Sequence, residues 1–400
     1  MTDRRRDGLY AGLILAFFSL LPHRAQAIDA EWTRILTGAI TAGPVASGDR
    51  VFCATDDRSL TCLSESGQFL WSRVLKGRAA SRLIVTPTGV LAAFTANGMI
   101  EAYNLDGRFL YRLSGGTIPV ADPLVGFDGR IFVPYQRSVA CISETGTLKW
   151  TLSLNEPANG PVGLTGDGEL LVSLVSGLIL RISPFGEIRE RIPVGQGIVS
   201  LSPAPSGFIL GNRDGSASYY FVYPGELSQG NASVALWSRP GASPIEAARY
   251  ASGSIVLVCR NGRIEGINAT DGALLWALSL PPFIVPLHCD YSDGQYTIVS
   301  GNRAVSLTDK GALLYSIEYP QYPGTAASSE SGRVFTPGTQ WALRSYKPET
   351  RIRSEKKNAN ARKYGNSRRS LLSGIYYTAS IGFRLSPFSL MSRSALHRAP

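Results

Sequence analysis

The side chains able to do chemistry are few, and their spacing argues against an enzyme. Of three histidines, His23 and His397 lie near the two ends, and His288 stands alone between them. A single histidine supports neither a multi-histidine metal site nor most nucleophile–base–acid triads. A packed or hydrogen-bonded side chain is the expectation for it. The Gly-x-Ser-x-Gly, Walker, Gly-x-Gly-x-x-Gly, His-Glu-x-x-His and Cys-x-x-Cys patterns are absent. No catalytic, cofactor-binding or metal-binding residue is assigned, and no cofactor is expected.

Five cysteines stand at positions 53, 62, 141, 259 and 289. Cys53 and Cys62 are symmetric about Asp57-Arg58, so a two-residue hairpin there would set them opposite each other. That geometry allows either a cross-strand disulfide or two buried thiols. An odd number of cysteines leaves at least one thiol free.

Two further groups could recognise a partner. Arg58, Arg137, Arg213, Arg260 and Arg303 fall at recurring turn positions. They form either a cationic rim for acidic partners or an ordinary set of polar turns. Tyr219, Tyr220 and Tyr223 precede an insertion at 225–232, and aromatic residues beside an insertion suit a partner contact as well as a lengthened loop.

The elements that must position these groups follow from a repeat. The phrase Gly48 to Thr55, a turn at Asp56-Asp57-Arg58, Leu60 to Ser64 and the ending Gly67 to Trp71 recurs along the chain. Its terminal aromatic position falls at 32, 71, 111, 150, 190, 237, 276 and 315, in steps of 39, 40, 39, 40, 47, 39 and 39. Position 190 is a degenerate copy holding Glu190. Four short strands per period predict an all-β, eight-bladed propeller. Asn97-Gly98, Asp128-Gly129 and Asn261-Gly262 suit hairpin turns, as does the glycine four residues before each aromatic. Trp71, Trp150, Trp237 and Trp276 are expected to pack between blades.

The two ends of the repeat are incomplete in complementary ways. Glu31 to Leu36 matches Leu70 to Leu75 but has no inner strands before it, whereas Arg333 to Tyr346 supplies inner strands with no closing aromatic strand. The N-terminal strand is therefore expected to complete the last blade and close the ring, leaving no orphan edge.

Residues 1–27 read as an export signal: Arg4-Arg5-Arg6, an apolar run from Ala11 to Leu21, and the small-x-small end Ala25-Gln26-Ala27. The apolar run is short for a membrane span. Ile28 follows Ala27, so no lipid-bearing cysteine stands there and a non-lipidated, exported, periplasmic or envelope-associated protein is expected. The propeller is placed at 28–346 and a basic tail at 347–400. The whole chain carries +10, and the tail alone accounts for +10, with twelve Lys and Arg against Glu349 and Glu355. The propeller itself is close to neutral, so no nucleic-acid partner is expected. The tail is expected to be poorly ordered, or amphipathic from Leu371 to Met391 and able to lie on an anionic membrane.

The Gly-x-x-x-Trp ending after an Asp-Gly-Arg-Val-Phe-like strand resembles the PQQ-like (quinoprotein-type) propeller repeat. Within that superfamily the chain looks most like the eight-bladed propeller subunit of the bacterial outer-membrane assembly machine. The resemblance implies a non-catalytic scaffold that binds envelope proteins, with two departures: that subunit carries a lipidated cysteine and lacks a basic tail; a monomer is expected. The superfamily's quinone-dependent oxidoreductases pair adjacent cysteines with the quinone, and no two cysteines are adjacent here. A quinone-binding oxidoreductase and a surface adhesin or sensor are the alternative readings.

Overall fold

Short β-rich phrases joined by glycine turns can bury apolar side chains on both faces only if sheets stack against sheets. The computed structural model describes residues 26–27, 29–223, 233–292, 294–320 and 326–347. It arranges them as eight sheets of four antiparallel strands, one of which gains a fifth strand. Most of the segment expected to be an export signal (residues 1–25 and 28), the expected insertion at 225–232 and the tail beyond Lys347 lie outside the described residues.

Each sheet is one blade, with the strands running from the first, innermost, to the fourth, outermost. Blade 1 comprises Ile40–Ser47, Arg50–Thr55, Ser59–Ser64 and Phe69–Val74. Blades 2 to 7 repeat the order, ending on outer strands Phe109–Ser114, Leu148–Ser153, Ile188–Pro193, Ser233–Arg239, Leu274–Ser279 and Leu313–Glu318. Blade 8 takes Ala327–Ser328, Val334–Pro337 and Ala342–Tyr346 from the C-terminal side and Trp32–Ile35 from the N-terminal side. Trp32 faces Ser345 and Ile35 faces Ala342 in this closing pair, and Arg333 bonds Glu31 across 2.9 Å. The ring closes as the incomplete ends require.

The core sits between blades rather than inside one. Cys62, Trp71, Leu91 and Ala93 pack together across the junction of blades 1 and 2, and Cys53, Leu63, Phe335 and Leu343 across that of blades 8 and 1. The recurring aromatic has a definite partner there. The ring of Trp71 lies against Gly107 of the next blade, so close that a Cβ on that glycine would stand 2.6 Å from it. Gly107 also has φ +78, which only glycine adopts without strain. Trp32 on Gly67, Tyr111 on Gly146, Trp150 on Gly186, Trp237 on Gly272 and Trp276 on Gly311 repeat the contact. Four of these indoles also donate to a backbone carbonyl of the neighbouring turn at 2.9 Å: Trp32 to Glu65, Trp71 to Leu105, Trp150 to Pro184 and Trp237 to Ala269.

Of the two outcomes open for Cys53 and Cys62, the register favours two buried thiols, because the cysteines do not face each other. Cys53 faces Thr61 and Cys62 faces Phe52, because the turn holds three residues, Asp56, Asp57 and Arg58, with Arg58 at φ +74. One extra turn residue reverses which face a side chain takes. The two sulfurs therefore enter different inter-blade cores, and all five cysteines are free and buried.

Candidate partner-binding face

Antiparallel strands alternate direction, so in every blade the turn between second and third strands emerges on one side of the ring. The connection from each outer strand to the next blade emerges on that same side. Hydrogen bonds tie the two loop sets together: Leu75 N donates to Arg58 O, Leu154 N to Arg137 O, Arg213 N to Gly197 O and Phe283 N to Arg260 O. Four of the five arginines singled out above, Arg58, Arg137, Arg213 and Arg260, are exposed on this face.

Arg303 is not among them. It is 2% exposed, donates to Pro281 O at 2.9 Å and pairs with Glu318. The turn of blade 7 is Gly301-Asn302, and the arginine falls one residue past it, so it opens the third strand, Arg303–Thr308, instead of projecting from the loop. The tyrosines divide similarly. Tyr219 is buried against Trp237, with its hydroxyl donating to Pro205 O at 2.5 Å, and half-buried Tyr220 stacks on Phe208 at 5.0 Å. Both belong to the third strand Ala217–Val222, whose two faces are each covered by a neighbouring blade. Only Tyr223, 46% exposed with its ring edge against Phe221, remains at the surface.

The face is mixed in charge rather than uniformly basic. Asp57 adjoins Arg58, Asp214 adjoins Arg213, and Glu246 pairs with Arg260 at 2.5 Å. Burial pushes the Asp57 carboxyl up, but hydrogen bonds from Thr55, Thr37 and Ser59 outweigh it and hold it down at about 2. Sequence reasoning missed three residues here. Lys76 and Arg78 are exposed in the connection from blade 1 to blade 2. Trp341, 53% exposed at φ +60, sits in the turn of blade 8, where its carbonyl accepts Leu36 N at 2.8 Å. Its signal was available: Trp341 falls outside the 39- to 40-residue phase of the other tryptophans. Exposed tryptophan is the residue type most enriched among interface anchors.

The centre of the ring offers little room. Arg82 of the blade 2 connection reaches His288 on the first strand of blade 7, Nη1 to Nδ1 at 3.5 Å. Beside them, Val45, Ala46, Asp290 and Val299 help to line a cavity of about 20 Å³, enough for about one water. Burial, then the charge of Arg82, pushes the His288 imidazole down to about 3, which keeps it neutral. Thiols are displaced the other way: burial holds Cys53 and Cys289 up at about 12. Among the described residues no group of three or more His, Cys, Asp or Glu side chains converges as a metal site. A larger open cleft of about 560 Å³ lies on the opposite face between blades 3 and 4, beside Arg130, Lys149, Trp150 and Phe185.

Comparison with known proteins agrees with this architecture. The family model described as outer membrane protein assembly factor BamB matches residues 24–123. Outer membrane protein assembly factor BamB of Yersinia pestis is 24% identical over 272 residues, 65% of this chain and 57% of its own length. The chain thus spans a little over half of that curated relative. Among solved structures, BamB from Moraxella catarrhalis superposes with a TM-score of 0.60 at 11% identity, covering 80% of this chain and 99% of that one. The C-terminal WD40 domain of Sif2 superposes with a TM-score of 0.62 at 13% identity, covering 80% and 98%, so at this level the likeness is one of fold. The chain carries the PQQ-like propeller repeat and is similar to the outer-membrane assembly factor BamB in sequence and in fold.

Proposed function

We propose that this chain is a non-catalytic, exported scaffold that holds protein partners in the cell envelope during outer-membrane protein assembly. The observation that carries it is the similarity to BamB along 65% of the chain. The structure supports it physically: the cavity beside Arg82 and His288 holds about 20 Å³, far below the roughly 300–1,000 Å³ of ordinary small-molecule sites, and the cleft of about 560 Å³ between blades 3 and 4 is open to solvent rather than enclosed. Broad loop faces with exposed anchors suit the recognition of proteins.

The partner-binding face in this reading is the one bearing Arg58, Arg137, Arg213 and Arg260, with Trp341 as its apolar anchor; Tyr223, past the far end of the third strand Ala217–Val222, lies on the opposite face beside the insertion. Export rests on residues 1–27. Ile28 stands where a lipid-bearing cysteine would stand, so attachment to the envelope runs through protein partners and through the basic tail on anionic lipid. Crosslinking and pull-down from the native envelope tests the reading. Envelope assembly proteins should be captured by the native chain and lost from Trp341→Ala combined with Arg213→Glu. Recovery of the same set by that variant would overturn the assignment of the face. Vesicle pelleting with and without residues 347–400 tests the tail, and equal pelleting would remove it from the proposal.

A further inference from the structure

One sector of the loop face, running from blade 8 across blade 1 to blade 2, is held in a strained and tightly bonded frame. In blade 8 the turn between second and third strands holds Gln340 and Trp341 at φ +59 and +60, and in blade 1 Arg58 stands at φ +74. Residues other than glycine seldom adopt this conformation, and where the surroundings enforce it the position is often a binding site. Hydrogen bonds join the two turns. Trp341 O accepts Leu36 N at 2.8 Å, and three residues on, Ala39 N donates to the Asp56 carboxylate while Asp56 N donates to Ala39 O, both at 2.9 Å. From Arg58 O the network passes through Leu75 N to the loop Lys76-Gly77-Arg78. That loop is fixed from beneath. Glu101, buried and paired with Arg112, accepts Lys76 N at 2.6 Å, and Ala96 N donates to Arg78 O at 2.7 Å.

This frame presents two kinds of side chain. At the blade 8 end Trp341 is 53% exposed, and Ile35, paired with the adjoining Ala342, is 64% exposed. At blades 1 and 2, Arg58, Lys76 and Arg78 are exposed and make no ion pair among the described residues. The acids between them are already engaged: Asp56 accepts Ala39 N, and Asp57 accepts Thr55 Oγ1 and Ser59 N. An apolar anchor followed by three unneutralised cations complements a segment with a large apolar residue followed by carboxylates.

Other occupants fit less well. The rest of this face carries exposed Asp214 and the Glu246–Arg260 pair, so a flat anionic membrane would meet acids as well as bases. A narrow segment would meet the cationic sector alone. The chain's own tail, with twelve Lys and Arg against Glu349 and Glu355, is repelled by these cations. A second copy docked through the same face would set like charges together.

We propose that the sector from Trp341 to Arg78 binds an extended acidic protein segment, its apolar residue seated on Trp341 and Ile35 and its carboxylates on Arg58, Lys76 and Arg78. It rests on the scaffold reading above and gives that scaffold's partner a chemistry.

The test uses the full chain and a labelled ten-residue peptide with phenylalanine near one end and glutamates at alternate positions beyond it, read by fluorescence anisotropy. Lys76→Glu combined with Arg78→Glu should weaken binding at least tenfold, while Lys310→Glu on the opposite face should leave it unchanged. Raising salt tenfold from about 50 mM should also weaken it, because exposed charges are screened. Trp341→Asn, which suits φ +60 better than tryptophan does, should weaken binding at least tenfold without lowering the urea midpoint. A peptide with lysine in place of glutamate should not bind. Equal binding by either variant, or by the lysine peptide, overturns the proposal. Pelleting with phosphatidylglycerol vesicles that is lost with Lys76→Glu and Arg78→Glu would assign the sector to lipid, which also overturns it. If the peptide fails to bind while the native chain captures envelope proteins, this proposal falls and the scaffold reading stands. If the peptide binds and no envelope protein is captured, the sector stands and the scaffold reading falls.

Discussion

Two junctions of the same ring are held by different physics. Between blades 1 and 2, Trp71 lies flat on Gly107 and donates to Leu105 O at 2.9 Å. Between blades 4 and 5 the equivalent position is Glu190, and the strand it meets begins at Ser233, directly after the insertion, with no glycine turn in phase. The carboxylate takes over the joining role: Oε1 accepts Ser233 N at 2.9 Å and Oε2 accepts Ser233 Oγ at 2.6 Å. Arg181, with a side chain 8% exposed, neutralises Glu190 at 3.0 Å and also pairs with Glu169. Against the inner part of this junction, a Cβ on Gly163 would stand 2.8 Å from Leu201, so the first strands are pressed close. An aromatic clamp needs a glycine opposite it. Where an insertion removes the glycine, the junction keeps its closeness by binding backbone with a buried, paired charge.

The largest effect that would break this comparison is at the closing strand, which carries the clamp Trp32 on Gly67. Deleting residues 28–37 should abolish the cooperative thermal transition, since it removes an entire outer strand and exposes the edge of Ala342–Tyr346. Deleting 350–400 should leave the transition in place, and calorimetry on both reads the contrast directly.

At the clamped junction, Trp71→Ala should cost about 3–5 kcal/mol in urea unfolding, the usual range for removing a buried tryptophan. Gly107→Ala should also destabilise, and combining it with Trp71→Ala should cost less than the sum, because the added methyl then has no ring to strike. Strict additivity would show that the clamp is not a contact that matters. At the ionic junction, Glu190→Ala should cost about 3 kcal/mol, since it leaves Arg181 with Glu169 alone and Ser233 N without its acceptor. If Glu190→Trp restores stability, an aromatic suffices there without glycine, and the account of the difference is wrong.

A pH measurement sharpens the picture at the centre. The His288 imidazole has an ordinary value of 6.5 and is held at about 3 in the fold. The unfolded chain therefore binds a proton between these values that the folded chain does not. The stability from this group is complete above pH 6.5 and is lost as pH falls toward about 3. His288→Gln should flatten that part of the stability–pH curve, and an unchanged slope would place the histidine in a wetter setting. The smallest effect belongs to the loop face. Arg58→Glu and Arg213→Glu should each change stability by less than about 0.5 kcal/mol, as exposed charges do. A larger loss would mean that these arginines hold the fold rather than meet partners.

The parts of the site legible in the sequence were those with a period. The 39- to 40-residue recurrence placed Trp71, Trp150, Trp237 and Trp276 at junctions, and the incomplete ends placed Trp32 beside Ala342–Tyr346. Legibility failed where one residue changes parity. A three-residue turn in place of two separated Cys53 from Cys62, and Arg303, one residue past the turn of blade 7, falls on the third strand and into the interior. Tyr219 and Tyr220 were read as surface because aromatic clusters suit interfaces. In a propeller the third strand of a blade is covered on both faces, so side-chain alternation does not distinguish inside from outside there.

The sequence by itself determined the repeat length, the number of blades, the identity of the closing strand and the near neutrality of the propeller against a basic tail. These depend on spacing and composition, which the chain carries along its length. Only the tertiary structure decided what each repeated residue touches. The glycine preceding one blade's aromatic serves the aromatic of the blade before it, and Glu190 reaches a serine 43 residues away. Among the described residues the outer strand of blade 6 has no added strand, while Gln26–Ala27 pairs with that of blade 7. Those are relations between neighbouring sheets, and they exist only once the ring has closed and set each blade's outer strand against the next.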